Sequence, residues 1–380
     1  MKKHLIAAAV AAAVAVPAMA QNVTIGGVLD ISPHSDRKIT QGTATAKANG
    51  TGNEAIFGQS ASNRINITMT EDLGGGLKVD GLYRLRYTNV GGSGGADDVS
   101  LRLTGGFGAI RFGRFSGFVD NLGGETGAFA NANTAGSINS ALSDLVAGTM
   151  TDEAADITGG TGAVAKTATG AGDLADTQGL VQYASPVING FQVTLDYMNR
   201  SVDTSGTAGT SKGKQHGVGF SYVAGPLKVS GALAAKELIG TGPGTTEATG
   251  SAAKTDITWL AANYDLGAAK VFVTTATRED KNTSSAKTDD VTVNTVGIQV
   301  PMGAVTLFAS VYDGEDKNTG VAGAAATEKR SLKGNQIAAR YTLSKRTYAY
   351  VVSGVNKDTG ATANSMFKNK QTAIGLAHTF

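Results

Sequence analysis

The sequence contains no cysteine and only six prolines among its 380 residues. Without thiols it has no disulfide framework, no thiolate metal ligands and no cysteine nucleophile. No excess of either charge is present, with 33 basic and 31 acidic residues, so a polyanionic partner such as nucleic acid is not indicated. Beyond the first twenty residues, no apolar run approaches the roughly 20 residues that a transmembrane helix needs.

The amino-terminal segment has the composition of an export signal. Lys2 and Lys3 precede a short apolar run, and Ala18–Ala20 fits a small-residue cleavage site. We expect residues 1–20 to be cleaved and residues 21–380 to form the mature chain. A membrane anchor is the alternative, but the apolar run is too short to span a bilayer. Without the two lysines, bases and acids number 31 each, so the position of the charges matters more than their sum.

The mature chain is rich in segments of about ten residues that alternate between apolar and polar side chains. In Phe191–Tyr197 and in Arg64–Thr70 every second residue is apolar. This period of two is typical of a transmembrane strand with lipid on one side and water on the other. Sixteen such segments begin near Val23, Ser62, Leu77, Val99, Ile110, Leu180, Phe191, Gly217, Leu227, Ile257, Lys270, Val291, Ala304, Asn335, Thr347 and Gln371.

The connections between these segments alternate between short and long. Glu71–Gly76 and Thr104–Gly108 are examples of the short class, and Ser32–Ala61, Asn89–Asp98 and Phe115–Gly179 of the long class. An even strand count, short periplasmic turns and long external loops predict an all-β, 16-stranded antiparallel transmembrane barrel. A soluble sandwich or propeller is the alternative, but it accounts neither for this alternation nor for a last strand that ends on Phe380, which we interpret as a signal for barrel closure and assembly.

Several motifs resemble the general porins of Gram-negative bacteria, especially the trimeric proteobacterial type. They are Ser62-Asn63-Arg64 followed by Glu71–Lys78, Gly106–Arg114, Val181–Pro186, Tyr341–Thr347 and the final His378-Thr379-Phe380. Their order and spacing cover the whole mature chain. The resemblance implies a homotrimer in the outer membrane, surrounded by lipids and lipopolysaccharide. It also implies assembly through the barrel-assembly machinery, which recognises the last strand, and passive diffusion of small hydrophilic solutes.

The resemblance further implies that the third external loop folds into the barrel and narrows it. Residues 116–178 occupy that place and are far longer than the other connections, as functional loops often are. We expect the proximal part, residues 116–145, to form the constriction. Its acidic residues are Asp120, Glu125 and Asp144. We expect Asp120 and Glu125 to face the basic residues of the preceding strands across a narrow aqueous gap.

A basic cluster is predicted on the strands that precede this loop. Alternation assigns the following residues to the lumen: Arg64, Lys78, Arg84, Arg86 and Arg102. Arginine at the bilayer midplane would cost about 2–4 kcal/mol, which favours the aqueous side. Arg111 and Arg114 have opposite parity. The family motif favours Arg114, Lys78 and Arg111 remain possible members, and a bulge at Gly113 would admit both arginines.

No catalytic constellation, metal-ligand spacing or cofactor motif is present, and no cofactor is predicted. Trp259 is expected to anchor the barrel at a membrane interface. The predicted function is a water-filled channel with mild anion preference, because the lumen cluster is basic. The alternatives are a substrate-selective channel for small organic acids or sugars, and an outer-membrane enzyme or adhesin built on a barrel.

Overall fold

The computed structural model describes most of residues 22–380. The described ranges are 22–34, 37–41, 44–48, 56–58, 63–87, 94–115, 125–129, 177–203, 210–241, 254–281, 287–317, 329–359 and 366–380. The predicted export signal, residues 1–20, lies outside these ranges, as do Asp120 and Asp144. Among the described residues, no helix is long and apolar enough to cross a membrane.

Sixteen strands form one closed antiparallel barrel, which confirms the predicted fold and strand count. They are β1 (Asn22–His34), β2 (Asn63–Gly74), β3 (Leu77–Tyr87), β4 (Gly94–Gly105), β5 (Gly108–Phe115), β6 (Thr177–Ala184), β7 (Phe191–Asp203), β8 (Thr210–Ala224), β9 (Leu227–Thr241), β10 (Lys254–Asp265), β11 (Lys270–Lys281), β12 (Lys287–Met302), β13 (Val305–Lys317), β14 (Lys329–Thr342), β15 (Thr347–Thr359) and β16 (Met366–Thr379). Each strand pairs with its neighbours in the chain, and β16 pairs with β1.

Three short strands within the first long connection were not predicted. They are Arg37–Gln41, Ala44–Ala48 and Ile56–Gly58, and they extend the sheet at the ends of β16 and β1. A second difference concerns the first short turn. Residues 71–74, expected in the turn, continue β2, so that only Gly75 and Gly76 connect it to β3.

The strands present one face outward and one inward, as the period of two requires. On β7, the outward Leu195 is 47% exposed, whereas the inward Asp196 is 3% exposed. Exposed apolar side chains recur at alternate positions from strand to strand, for example Val23, Ile25, Leu260 and Ile374. Since a barrel in lipid places its apolar side chains on the outside, this belt is the membrane-facing surface.

The inward face is not uniformly polar. Trp259 is 5% exposed and belongs to a buried apolar cluster with Ile257 and Val293 on neighbouring strands. The expectation that Trp259 anchors the barrel at a membrane interface is therefore wrong. The parity of β10 places it on the inside, where a single tryptophan fills volume between the wall and the third loop, whose residue Ala128 packs against the same cluster.

Closure of the barrel depends on a close approach at the seam between β1 and β16. The N–H of Gly27 donates to the carbonyl of Phe380 at 3.0 Å, and the N–H of Phe380 donates back at 3.2 Å. A side chain on Gly27 would collide with the carbonyl oxygen of Arg64 and come within 2.7 Å of the Phe380 ring. Glycine therefore lets three strands meet at the seam, with the half-exposed Phe380 ring covering it.

We expect Gly27→Val to weaken closure by about 1–3 kcal/mol, because neither the β2 backbone nor the Phe380 ring has room for the added methyl groups. The measurement is the urea midpoint of refolding into lipid vesicles, followed by the shift in gel mobility on heating. Gly95→Val is the matched control, since a Cβ at Gly95 meets open space on β4. Equal midpoints for the two variants would show that the seam tolerates a side chain.

Candidate functional site

Basic side chains line the inner face of β2–β5, as their alternation predicted. Arg64 on β2 lies opposite Arg86 on β3, and Asn66 lies opposite Arg84. Arg102 on β4 pairs in register with Arg111 on β5. We call Arg64, Lys78, Arg84, Arg86, Arg102 and Arg111 the basic wall. The structure brings them together on four adjacent strands, and their role in ion passage stays a prediction.

Asp80 on β3 binds two members of the basic wall. One carboxylate oxygen lies 2.8 Å from the Lys78 ammonium, and the other accepts a hydrogen bond from Arg102 Nη2 at 2.9 Å. Thr70 Oγ1 donates to the same carboxylate at 3.1 Å. Lys78 and Arg102 nevertheless remain about half exposed, so that both present charge to the lumen.

Asp98 on β4 is a second acidic partner, and the sequence analysis missed it. Arg111 Nη2 donates to both of its carboxylate oxygens, at 2.9 and 2.8 Å, and Arg84 Nη1 lies 3.7 Å away. Ser100 Oγ completes the group with a 3.0 Å hydrogen bond to Asp98. The sequence analysis assigned Asp98 to the end of a loop. Its parity with Ser100 and Arg102 is the signal that would have placed it on the inner face of β4.

The register distinguishes Arg111 from Arg114. Arg111 is inward: its guanidinium carbon lies 3.9 Å from the ring centroid of the buried Phe115, on the same side of β5. Arg114 lies opposite Val99, whose side chain is exposed on the outer face, and the register is irregular between Gly113 and Phe115. Arg111 therefore has an inner position among the charged groups. A pore-lining role for Arg114 remains a prediction.

A cavity of about 520 Å³ opens beside the basic wall. Its charged lining is Lys78, Asp80, Arg102 and Arg111, and Gln182 on β6 adds an amide. Gln182 donates to the buried Asp196 at 2.8 Å, which fixes its orientation. The cavity is large enough to hold water molecules, and cationic groups lie on one side of it.

The described part of the third loop, residues 125–129, lies inside the barrel, as predicted. Glu125 is 7% exposed and forms an ion pair with Lys228 on β9. Its second carboxylate oxygen accepts a hydrogen bond from Asn263 Nδ2 on β10 at 2.7 Å. Glu125 was expected to face the basic wall across an aqueous gap. It faces the barrel wall beside the loop, and it attaches the loop there.

The other end of the segment, Phe129, packs against aromatic side chains of the barrel wall. The Phe129 ring centroid lies 5.0 Å from that of Phe308 on β13 and 5.1 Å from that of Tyr350 on β15. Its backbone N–H donates to Gln336 Oε1 on β14 at 3.0 Å. Between the two attachments, the loop passes so close to β12 that a side chain on Gly297 would collide with the Thr126 carbonyl oxygen. The segment therefore follows the inner wall from β9 to β15.

In a ring of sixteen strands, β10–β13 lie opposite β2–β5, so the part of the loop that passes β12 is across the lumen from the basic wall, and its end at β15 approaches the seam. A closed barrel with an apolar belt, a charged interior and an inward loop is the architecture of a channel-forming outer-membrane protein.

The chain belongs to the family of Gram-negative porins, whose family model matches residues 7–378. It is therefore an outer-membrane porin, a water-filled channel for passive diffusion. Outer membrane porin protein 32 of Delftia acidovorans is 28% identical over 285 residues, which cover 71% of this chain and 68% of that relative.

Solved porin structures have the same fold at low sequence identity. The anion-selective porin from Comamonas acidovorans superimposes with a TM-score of 0.66 and 19% identity, covering 95% of this chain and all of that one. OmpT of Vibrio cholerae, in a structure described as the trimer form, gives a TM-score of 0.61 at 14% identity, with 95% and 100% coverage. These similarities support the barrel architecture.

We expect Glu125→Gln to loosen the third loop, because the ion pair to Lys228 is lost while the side chain keeps its size. In a double-mutant cycle with Lys228→Met, the coupling energy should be about 1–2 kcal/mol, below that of a fully buried pair because Lys228 is partly exposed. In planar bilayers, the open-channel current noise of Glu125→Gln should exceed that of the unsubstituted protein.

Asp313→Asn is the control for this prediction. Asp313 also pairs with a lysine, Lys333, but both side chains are largely exposed on the outside of the barrel. Its loss should leave both noise and stability unchanged. Open-channel noise in Glu125→Gln that equalled the control's would mean that the ion pair does not hold the loop.

Proposed function

We propose that this porin is a general diffusion channel with a mild preference for small hydrophilic anions. One observation carries the proposal: six cationic side chains lie on the inner face of β2–β5. Asp80 and Asp98 form ion pairs with four of them. The porin from Comamonas with the same fold is described as anion-selective. The charges of this chain are the stronger support, since identity to that porin is low.

The arrangement acts through a local field. Arginine stays charged at every relevant pH, and the low-dielectric barrel wall strengthens its field in the lumen. Glu125 does not oppose that field across the gap, because Lys228 neutralises it at the opposite wall. The expected result is an energy well for anions beside β2–β5 and a barrier for cations. Salt weakens the effect over a Debye length of about 10 Å at 0.1 M.

Export, barrel assembly and the lipid environment are proposed from the sequence. We propose that residues 1–20 are removed on export and that residues 21–380 form the barrel, with a constriction region at 116–178. The last strand, ending in Phe380, is the segment that the assembly machinery recognises, and lipids and lipopolysaccharide surround the apolar belt.

The charge proposal is tested by Lys78→Ser combined with Arg102→Ser, the two half-exposed members of the basic wall. Their loss leaves Asp80 without its cationic partners. The chloride-to-potassium permeability ratio should therefore fall by about twofold or more at 0.1 M salt, and by less at 1 M, where the Debye length is about 3 Å. The measurement is the reversal potential in a tenfold KCl gradient across a planar bilayer.

Lys333→Ser combined with Lys345→Ser is the charge-matched control. Lys333 is exposed outside the barrel, and Lys345 lies in the short turn between β14 and β15. The same number of charges is removed, but none from the lumen. A reversal potential that moves equally in both double variants would exclude the basic wall as the source of selectivity.

We also propose that the chain assembles as a homotrimer, because the family includes trimers and the outer face of β1–β5 carries many exposed apolar residues. In mild detergent, light scattering after size-exclusion chromatography should give a mass of three chains, and unheated electrophoresis a band that collapses on boiling. A single-chain mass in every gentle detergent tested would contradict this proposal.

A further inference from the structure

The inner face of β13–β15 carries a group of aromatic residues beside an arginine, across the β16–β1 seam from the basic wall. We call this group, with the loop residue that completes it, the aromatic–arginine patch: Phe129, Phe308, Arg340, Tyr348 and Tyr350. The Arg340 guanidinium carbon lies 5.5 Å from the ring centroids of both Phe308 and Tyr348. The Tyr348 and Tyr350 centroids are 6.0 Å apart, and that of Phe129 is 6.3 Å from that of Tyr348.

The members of the patch divide into a buried base and an open edge. Phe308 and Tyr350 are buried, and Tyr350 donates its hydroxyl to Asp30 at 2.6 Å, so both support the wall. Phe129, Tyr348 and Arg340 are only partly buried. The lumen therefore meets two aromatic rings and a guanidinium side by side.

Arg340 offers a particular kind of contact. A guanidinium that lies over aromatic rings keeps its N–H groups in its own plane, directed away from the rings. Its Nε is buried and has no hydrogen-bond partner among the residues that the structure describes. A carboxylate that approaches along the plane of Arg340 would accept two parallel hydrogen bonds.

The patch is also within the electrostatic reach of the basic wall. Tyr350 of the patch donates its hydroxyl to Asp30 on β1, and Val28 on the same strand lies opposite Arg64 on β2, so the basic wall and the patch approach each other across the seam of the barrel. An anion attracted by the basic wall therefore passes close to rings on which a planar group could stack. Such stacking favours an aromatic solute over an aliphatic one of equal charge.

We propose that the aromatic–arginine patch is a lumen binding site for aromatic carboxylates, with the carboxylate on Arg340 and the ring against Tyr348 and Phe129. This inference rests on the proposed anion-permeable lumen and adds a solute class to it. A site of this kind holds solute briefly and releases it, as a channel requires.

The test is the block of single-channel KCl current by benzoate, with cyclohexanecarboxylate and acetate as probes of equal charge. Benzoate should produce current interruptions with an affinity about three- to tenfold above that of cyclohexanecarboxylate, because only benzoate has a π face. Tyr348→Leu should abolish this difference, and Tyr348→Phe should retain it. Arg340→Gln should weaken the block by both cyclic acids about tenfold or more, and Arg340→Lys should restore part of it.

Tyr222→Leu, on the outer face of β8, is the control for loss of an aromatic residue from the barrel. Each variant must first show heat-dependent gel mobility and a KCl conductance near that of the unsubstituted protein. Equal block by benzoate and cyclohexanecarboxylate in the unsubstituted protein, or a difference that survives Tyr348→Leu, would overturn the inference. The reversal potential in KCl separates this result from failure of the proposed function: anion preference without benzoate discrimination overturns the binding site alone.

Discussion

The constraint on which the structure depends is that a backbone in lipid has no water to satisfy its polar groups. Every strand must therefore find two hydrogen-bonded neighbours, and an open sheet would leave two unsatisfied edges. The chain meets this condition where β16 returns to β1, and the reciprocal bonds between Gly27 and Phe380 lie at that seam. Closure requires a glycine at position 27, because the backbones of three strands and the Phe380 ring leave no space there for a side chain.

Closure also determines where the charges are. Once the outward positions are committed to lipid, the alternate positions of every strand face one another across a shared interior. Basic residues on β2–β5 thus become a wall, although they lie as much as 47 positions apart in the sequence, from Arg64 to Arg111. Their long-range pairing is a product of the barrel register, which brings Asp80 and Asp98 between them.

The sequence alone was sufficient for the fold and for half of the site. Period-two alternation, with turns at alternating ends, gave the sixteen strands and the inward phase of residues such as Arg84 and Arg102. This alternation does not predict which residues of the barrel wall the third loop contacts. Glu125 has no periodic signal, and its contact with Lys228 depends on which wall the loop follows, a choice made by packing of Ala128 and Phe129. Trp259 was misplaced for a related reason: composition suggested an interface, but parity puts it inside.

The way in which the loop is attached has a consequence for the electrostatics of the channel. An acidic loop that faced the basic wall across the lumen would cancel much of its potential along the axis. Here the carboxylate of Glu125 is turned into the opposite wall and neutralised by Lys228, while Phe129 is held by rings. The described segment therefore narrows the lumen without adding uncompensated negative charge to it. Constriction and charge selection therefore depend on different parts of the barrel. Strands β9–β15 hold the loop that narrows the lumen, and the basic residues of β2–β5 supply the electrostatic field that acts on ions. A substitution that loosens the loop should change the bore first, whereas one in the basic wall should change ion preference first.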